Sequence, residues 1–462
     1  MSVDSMSTGN TDSMVKQEKD GMKLMRFMLM TVALSSMSVM MFNIVIPEIS
    51  VDLGLSLTQV SWLSSGYILI YAFGTVTYGK LADRFQLRNV LTLGLLLFAF
   101  GSLVGLFSSS FWGALVGRLM QAAGASVVPA LAMIIPVRYF SQERRGSAMS
   151  MTAIGLALGS VLAPAVSALI LSVADWRWLF VPPMLLLLLL PYYRKYLLLP
   201  ATGVQGKFDW LGAVLLLGAM ALLLLGITYG LWLLILLGTL LLPVFYVWIR
   251  VAKNPFIHPG LFQNTSYRTG IILTILIATM ANGLFYLSPV MLADVYSINS
   301  QWIGYALIPA AIASALLGRR GGILADSKGN TTLYTVAAGL LTTCFILLAV
   351  LVDVVSVWLI PLLFIFGNVG QTFMQVSVAN TVSMTLSKEQ VGVGMGFFSM
   401  MNFITMGMTI GIYSRLAEWD VRGWNSFLTT SETGMFNNIY LVLALMHVIV
   451  LLFYRVSFGT KK

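Results

Sequence analysis

Gly79-Lys80-Leu81-Ala82-Asp83-Arg84-Phe85-Gln86-Leu87-Arg88 stands between two long apolar runs, and Gly322-Ile323-Leu324-Ala325-Asp326 repeats its G-x-L-A-D pattern between two others. Both copies lie in short basic connections. Arg84 and Arg88 flank the first; Arg319, Arg320 and Lys328 flank the second. The shared pattern and setting point to a duplicated unit, and the apolar runs around it decide the fold class.

Those runs dominate the chain. Of 462 residues, 58% are apolar and 10% charged, with a mean hydropathy of +0.89. A soluble domain is about 45–50% apolar and about 25% charged. So little charge cannot coat a water-facing surface of this size, which excludes a soluble or disordered chain and predicts an all-α integral membrane protein. Apolar runs between polar breaks predict fourteen spans. They lie near 27–46, 59–78, 90–108, 112–136, 147–170, 178–193, 210–229, 231–249, 269–292, 302–318, 331–352, 356–382, 391–413 and 436–454. The runs are continuous, without the alternation of a β-barrel strand. The sixth holds Pro182, Pro183 and Pro191, which blur its ends. Residues 1–23 lack the basic start of a signal peptide and read as a flexible cytoplasmic tail.

Basic residues set the sidedness. With both termini in the cytoplasm, the inner segments hold 23 of the 27 Lys and Arg residues, Lys388 among them. Arg177, Arg415 and Arg422 fall outside, and Arg118 falls within a span. The +10 charge thus faces anionic lipid, and nucleic acid is not an expected partner. Eight spans separate the two G-x-L-A-D copies, which keeps them on one side. Six spans per half plus two central spans gives that offset. The expected organisation is a tail (1–23), an N-terminal half (24–200), a two-span insert (201–253) and a C-terminal half (254–462). Duplicated halves of this kind are a transporter architecture with a substrate site at the midplane.

These residues resemble the major facilitator superfamily, and within it the fourteen-span drug:proton antiporters. Gly79, Leu81, Ala82, Asp83, Arg84 and Arg88 match its signature after the second span, while Gln86 stands where a glycine is usual. Arg118, Gln121, Gly124 and Ala125 resemble its fourth-span motif. Gly155, Gly159 and Pro164 resemble its fifth-span antiporter motif, with Ala163, Ser167 and Ala168 in place of glycines. Trp176-Arg177-Trp178-Leu179-Phe180 and Phe208-Asp209-Trp210 look like fourteen-span members. Pro255-Phe256 followed by Pro259-Gly260-Leu261 is similar to the tetracycline exporters of Gram-positive bacteria. The resemblance implies the major facilitator fold in a bacterial plasma membrane, a small-molecule substrate, and proton-driven drug efflux with antibiotic resistance, tetracycline-like compounds leading.

Each motif also has a physical reading. Gly79 would let the chain turn as it leaves lipid. The Asp83 carboxylate can meet the positive N-terminus of a neighbouring helix and pair with an arginine, a contact that breaks and reforms. The resemblance makes it a gate, with Gly322 and Asp326 as its weaker copy; the bland alternative is a helix cap beside headgroup anchors. Arg118 lies about four residues into its span, roughly 6–10 Å below the outer boundary. It either snorkels outward or holds a partner in a polar cavity, and the resemblance gives it a role in proton or substrate handling with Gln121. Gly155, Gly159, Ala163, Ser167 and Ala168 share a face that allows close helix contact, and Pro164 bends the span.

None of the 17 acids falls in the middle of an expected span. A buried carboxylate is the usual proton carrier of a pump, so coupling would run through Asp83, Arg118 and rim acids such as Glu48 or Asp294, or be absent. His447 is the other titratable group inside a span. Met residues gather in spans one and thirteen, as lipid-facing filler or as an adaptable pocket wall. Asn43, Trp62, Tyr67, Gln371 and Met406 are pocket candidates. Gly74 to Lys80 mimics a phosphate loop, but Leu81 stands where Ser or Thr is required. With two histidines and the single Cys344, no cofactor, metal site, disulfide or catalytic constellation is expected. The expected function is an exporter of small amphipathic compounds, driven by protons and not an enzyme. A facilitator or lipid flippase without proton coupling, and a non-transporting sensor, are the alternatives.

Overall fold

The computed structural model describes residues 4–55, 57–60, 62–198, 209–296, 300–352, 356–387, 389–417 and 434–459, and these form helices and connections with no strand among them. Lys388, Phe208 and Arg422 therefore lie outside the described residues, as do the side chains of Asn43, Pro164, Ala168, Asp294 and Arg415. The helices run α1 (Asp4–Ile44), α2 (Ile46–Leu53), α3 (Leu57–Val60), α4 (Trp62–Arg84), α5 (Leu87–Leu106), α6 (Phe111–Ala125), α7 (Val127–Tyr139), α8 (Arg145–Leu171), α9 (Val181–Met184) and α10 (Leu190–Tyr196). They continue as α11 (Trp210–Tyr229), α12 (Trp232–Val251), α13 (Gly260–Gln263), α14 (Thr265–Asn282), α15 (Ser288–Tyr296), α16 (Ser300–Lys328), α17 (Asn330–Leu351), α18 (Ile360–Met384), α19 (Val391–Ala417) and α20 (Gly434–Phe458).

Among the described residues, twelve helical stretches are long and apolar enough to cross a membrane. A thirteenth forms if Gln142–Ser160 and Ala165–Leu171, bent by 42° relative to each other, count as one. The expected second span is helical as α4, but it is not among the twelve. Its serines, threonines, glycines and tyrosines, from Ser64 to Tyr78, dilute its apolar character. The sixth crossing, Trp176–Tyr196, alternates 3-10 turns with α9 and α10, and Pro182 and Pro191 stand near the helix starts. Proline lacks the N–H that a helix interior needs and is tolerated at these starts. The flexible tail is corrected: residues 4–23 continue α1. Gln17 Nε2 donates to the Arg138 carbonyl at 2.8 Å, and Arg144 pairs with Glu18 at 2.8 Å.

The chain forms two units. The first is Met1–Val204 with Leu386–Gly396; the second is Gln205–Thr385 with Phe397–Lys462. In the first, α1 packs on α8, and α5 on α6. The second pair meets glycine against backbone. A Cβ on Gly101 would stand 2.4 Å from Gln121 N, one on Gly117 2.5 Å from Gly105 N, and one on Gly124 2.2 Å from Phe98 N. In lipid, helix pairing rests on such close packing and not on the hydrophobic effect. At the end of this unit away from Asp83, Met37, Met41, Phe42, Leu63, Ala114, Trp176 and Phe180 form an apolar cluster.

In the second unit α17 packs on α18 and α20, α16 on α18, and α11 on α12. Asp209 caps α11 through Gly212 N at 2.8 Å. The same carboxylate accepts from Trp248 Nε1 at 3.0 Å and Phe256 N at 2.8 Å. It thereby ties both ends of the α11–α12 hairpin together.

Candidate functional site

Asp83 sits in the last turn of α4 and is 3% exposed. Its Oδ1 accepts from Gly392 N at 3.1 Å and its Oδ2 from Val393 N at 3.0 Å. Those amides belong to the first turn of α19, where N–H groups have no partner in their own helix and carry the positive end of its dipole. Arg138, in the last turn of α7, donates from Nη2 to Oδ1 at 2.9 Å and to the Ala82 carbonyl at 3.0 Å. So the ion pair is made by Arg138, 55 positions away, and not by the arginines of the motif itself. Arg88 turns to Gln86 Oε1 at 2.9 Å, and Arg84 is half-buried in the same turn. Gln86 has ordinary extended backbone, φ −62° and ψ 130°, so this position needs no glycine.

Gly79 serves a different purpose from the one its motif suggests. It lies inside α4, where the chain does not turn. A Cβ there would stand 2.2 Å from Gly392 O, and one on Gly396 would stand 2.7 Å from Thr75 O. Thr75 Oγ1 donates to Gly396 O at 3.1 Å. Glycine at 79 is required for close approach of the α19 start, and Asp83 then fastens what Gly79 admits. In the second unit Gly322 is buried and Asp326 half-buried near the end of α16. α17 begins at Asn330 with the spacing from Asp326 that Leu87 has from Asp83.

Burial pushes the Asp83 carboxyl up to about 6, against the opposing pull of Arg138 and the two amides. A solvated aspartate titrates near about 3.9. This arrangement therefore binds a proton more tightly than a solvated aspartate does. Its gain is complete below about 4 and is lost as pH rises through about 6. Labelling of Val391→Cys, at a position that is 1% exposed beside the latch, should slow as pH falls from 7.5 to 5.5, once thiol ionisation is corrected for. Asp83→Asn should flatten that dependence.

The second site is Arg118, fully buried on α6. Its guanidinium lies 4.0 Å from the ring centroid of Phe42 and 4.0 Å from that of Tyr67. Nη1 donates to Gln121 Oε1 at 2.6 Å and Nε to Leu63 O at 3.4 Å. Gln121 Nε2 donates onward to Ser102 Oγ at 2.8 Å, which links α6 to α5. Nη2 has no hydrogen-bond partner. Of the two alternatives, outward snorkelling is not what the structure shows, because the side chain turns inward onto aromatic faces.

The fifth-span motif packs α8 onto α1. A Cβ on Gly155 would stand 2.6 Å from Leu29 O, and one on Gly159 2.3 Å from Ala33 O. Ala163 and Ser167 are fully buried. Trp62, with Leu53, Leu55, Gln59, Ser109, Ser110, Phe111 and Trp112, lines a hollow of about 540 Å³. Of the remaining pocket candidates, Tyr67 belongs to the Arg118 group, while Gln371 is buried in α18 and Met406 half-buried in α19. Met28, Met37, Met41, Met395 and Met400 are core residues, whereas Met30 and Met40 of the same group are exposed, as a lipid-facing role requires. His447 Nδ1 bonds the Leu443 carbonyl of its own helix at 2.8 Å and packs on Phe345.

Residues 28–410 match the model of the Major Facilitator Superfamily. The chain is 24% identical over 350 residues to the uncharacterized MFS-type transporter YhcA of Bacillus subtilis, covering 73% of this chain and 64% of that protein. It is 25% identical over 371 residues to Multidrug resistance protein 3 of Bacillus subtilis, covering 76% and 71%. The crystal structure of the human organic anion transporter MFSD10 superposes with a TM-score of 0.68 at 15% identity, covering 94% of this chain and 99% of that one. At that identity the likeness is one of fold.

Proposed function

The chain belongs to the Major Facilitator Superfamily and is a multi-pass membrane transporter, not an enzyme; from that premise we propose that it exports small amphipathic compounds by alternating access. The observation that carries the reading is the Asp83 latch. A carboxylate on two helix N-terminal amides and one arginine is strong when made, and each contact can be exchanged for water. That is what a gate present in one state and absent in the other requires. The latch end is the cytoplasmic one in this reading, with both termini inside a bacterial plasma membrane and fourteen spans in all. The glycine contacts of α8 with α1 would keep the pathway sealed while the latch cycles.

The resemblance to drug:proton antiporters favours proton entry as the driving force, and the relative named for multidrug resistance favours drug cargo. They put flat amphipathic drugs such as tetracyclines first among cargoes. A specific observation favours a second reading, a facilitator or flippase without proton coupling. No carboxylate lies in the middle of an expected span, and among the described residues none pairs with Arg118.

A susceptibility panel in an efflux-deficient bacterial host tests the export reading. The parent protein should raise the inhibitory concentration of at least one amphipathic compound at least fourfold, and Asp83→Ala should return it to the empty-vector value. Unchanged susceptibility to every compound would end the drug-export reading. Everted vesicles then separate the two drives: collapsing the proton gradient should stop antiport and leave facilitated flux running.

A further inference from the structure

We infer that Arg118 is a binding site for the negative charge of the transported compound, so that the cargo of this protein is an organic anion. Several independent facts meet at this side chain. It is a fully buried cation with no carboxylate within ion-pair distance among the described residues. A desolvated charge without a countercharge is costly. What surrounds it softens the cost without cancelling the charge: two ring faces at 4.0 Å, the neutral amide of Gln121 and the Leu63 carbonyl. The guanidinium stays net positive, and its Nη2 still has a hydrogen to donate. Ser64, next in the chain to Leu63, also holds a buried hydroxyl without a partner. A carboxylate, sulfonate or enolate would supply the missing charge and accept the free N–H, and the flanking rings would stack on an aromatic body.

The sign of the charge follows from the same facts. A cationic compound would meet an uncompensated guanidinium, and the middles of the expected spans hold no acid to attract it. The same end of α4 also borders a hollow. Trp62 lines the hollow of about 540 Å³ and is the neighbour of Leu63, whose carbonyl Arg118 contacts. A hollow of that size is in the range that holds a drug-sized molecule.

The sign of the cargo bears on the energy source. Expelling a monovalent anion from a cell that is negative inside runs down the electrical gradient. Each 100 mV supports an outward gradient of about fifty-fold. Efflux of an anion therefore needs no intramembrane proton carrier.

The inference rests on the export reading for the word cargo, but the site can be tested without it. The purified full chain in nanodiscs is titrated with 2-naphthalenesulfonate and with 2-naphthylmethylammonium, one ring system with opposite charges, and binding is read by tryptophan fluorescence. The parent should bind the sulfonate at least tenfold more tightly. Arg118→Gln should erase that preference, and Arg118→Lys should keep part of it; size-exclusion profiles establish that both variants fold. Equal binding, tighter binding of the cation, no binding of either probe, or an unchanged preference in Arg118→Gln would each overturn the inference. If neither substitution folds, the parent's preference decides the matter. Flux in potential-clamped vesicles separates the two readings: export of cations only would leave the exporter standing and sink the anion site. Anion binding without flux would do the reverse.

Discussion

Asp83→Ala is expected to raise the labelling rate of Val391→Cys at least tenfold, in a Cys344→Ala background, and to abolish any resistance the parent confers. The substitution leaves three groups without their shared partner. Arg138 is largely buried, with 9% of its side chain exposed, and would lose its only ion-pair partner among the described residues. Gly392 N and Val393 N would lose their acceptor at the positive end of α19. Removing one member of a buried ion pair costs about 3–5 kcal/mol. That is enough to shift a fastened arrangement from almost fully populated to a minority. Water can reach released groups, so the cost falls on the closed latch and not on the fold. The melting temperature in detergent should accordingly change little, while accessibility and transport change greatly.

Gly124→Leu is expected to do the opposite, removing the protein and not a state of it. Its Cβ would stand 2.2 Å from Phe98 N and 2.5 Å from Gly94 O. Those are backbone atoms of α5 that cannot step aside as a flexible side chain would. Overpacking costs about 1–3 kcal/mol where side chains can adjust, and more where they cannot. The helices must part, which breaks the Gln121–Ser102 bridge and with it the support of Arg118. Full-length protein in membranes should fall at least fivefold, and whatever is recovered should melt at a markedly lower temperature. Wild-type abundance and melting would show that the α5–α6 contact is not made in the membrane.

Much of this arrangement is legible in the sequence, and the losses have physical causes. Continuous apolar runs reveal helices because lipid forces every backbone group to bond within its own segment. α4 is the instructive exception, since its polar and small residues face other helices, where apolarity is not needed. The carboxylate chemistry of Asp83 is readable from its place after a glycine at a span end. Its partners are not, because Gly392 lies 309 positions away and nothing local ties the start of α19 to α4. Arg138 carries only the faint signal of a basic residue in a helix's last turn. Arg118 and Gln121 can be paired from their spacing on one helix. The ring faces of Phe42 and Tyr67 come from two other helices and are visible only once those pack. Gly79 shows how a motif can be recognised for the wrong reason, since a turn and a close approach both call for glycine.

The central claim is that the latch at Asp83 closes one end while the apolar cluster at the other end of the first unit opens, and the reverse. Two single-cysteine reporters in a Cys344→Ala background measure this directly: Val391→Cys beside the latch and Ala114→Cys in the cluster, both fully or almost fully buried. A membrane-impermeant maleimide is applied to everted vesicles for the first and right-side-out vesicles for the second. Asp83→Ala should speed labelling at Val391→Cys and slow it at Ala114→Cys. Rates that rise together, or that do not respond to Asp83→Ala at all, would contradict the account.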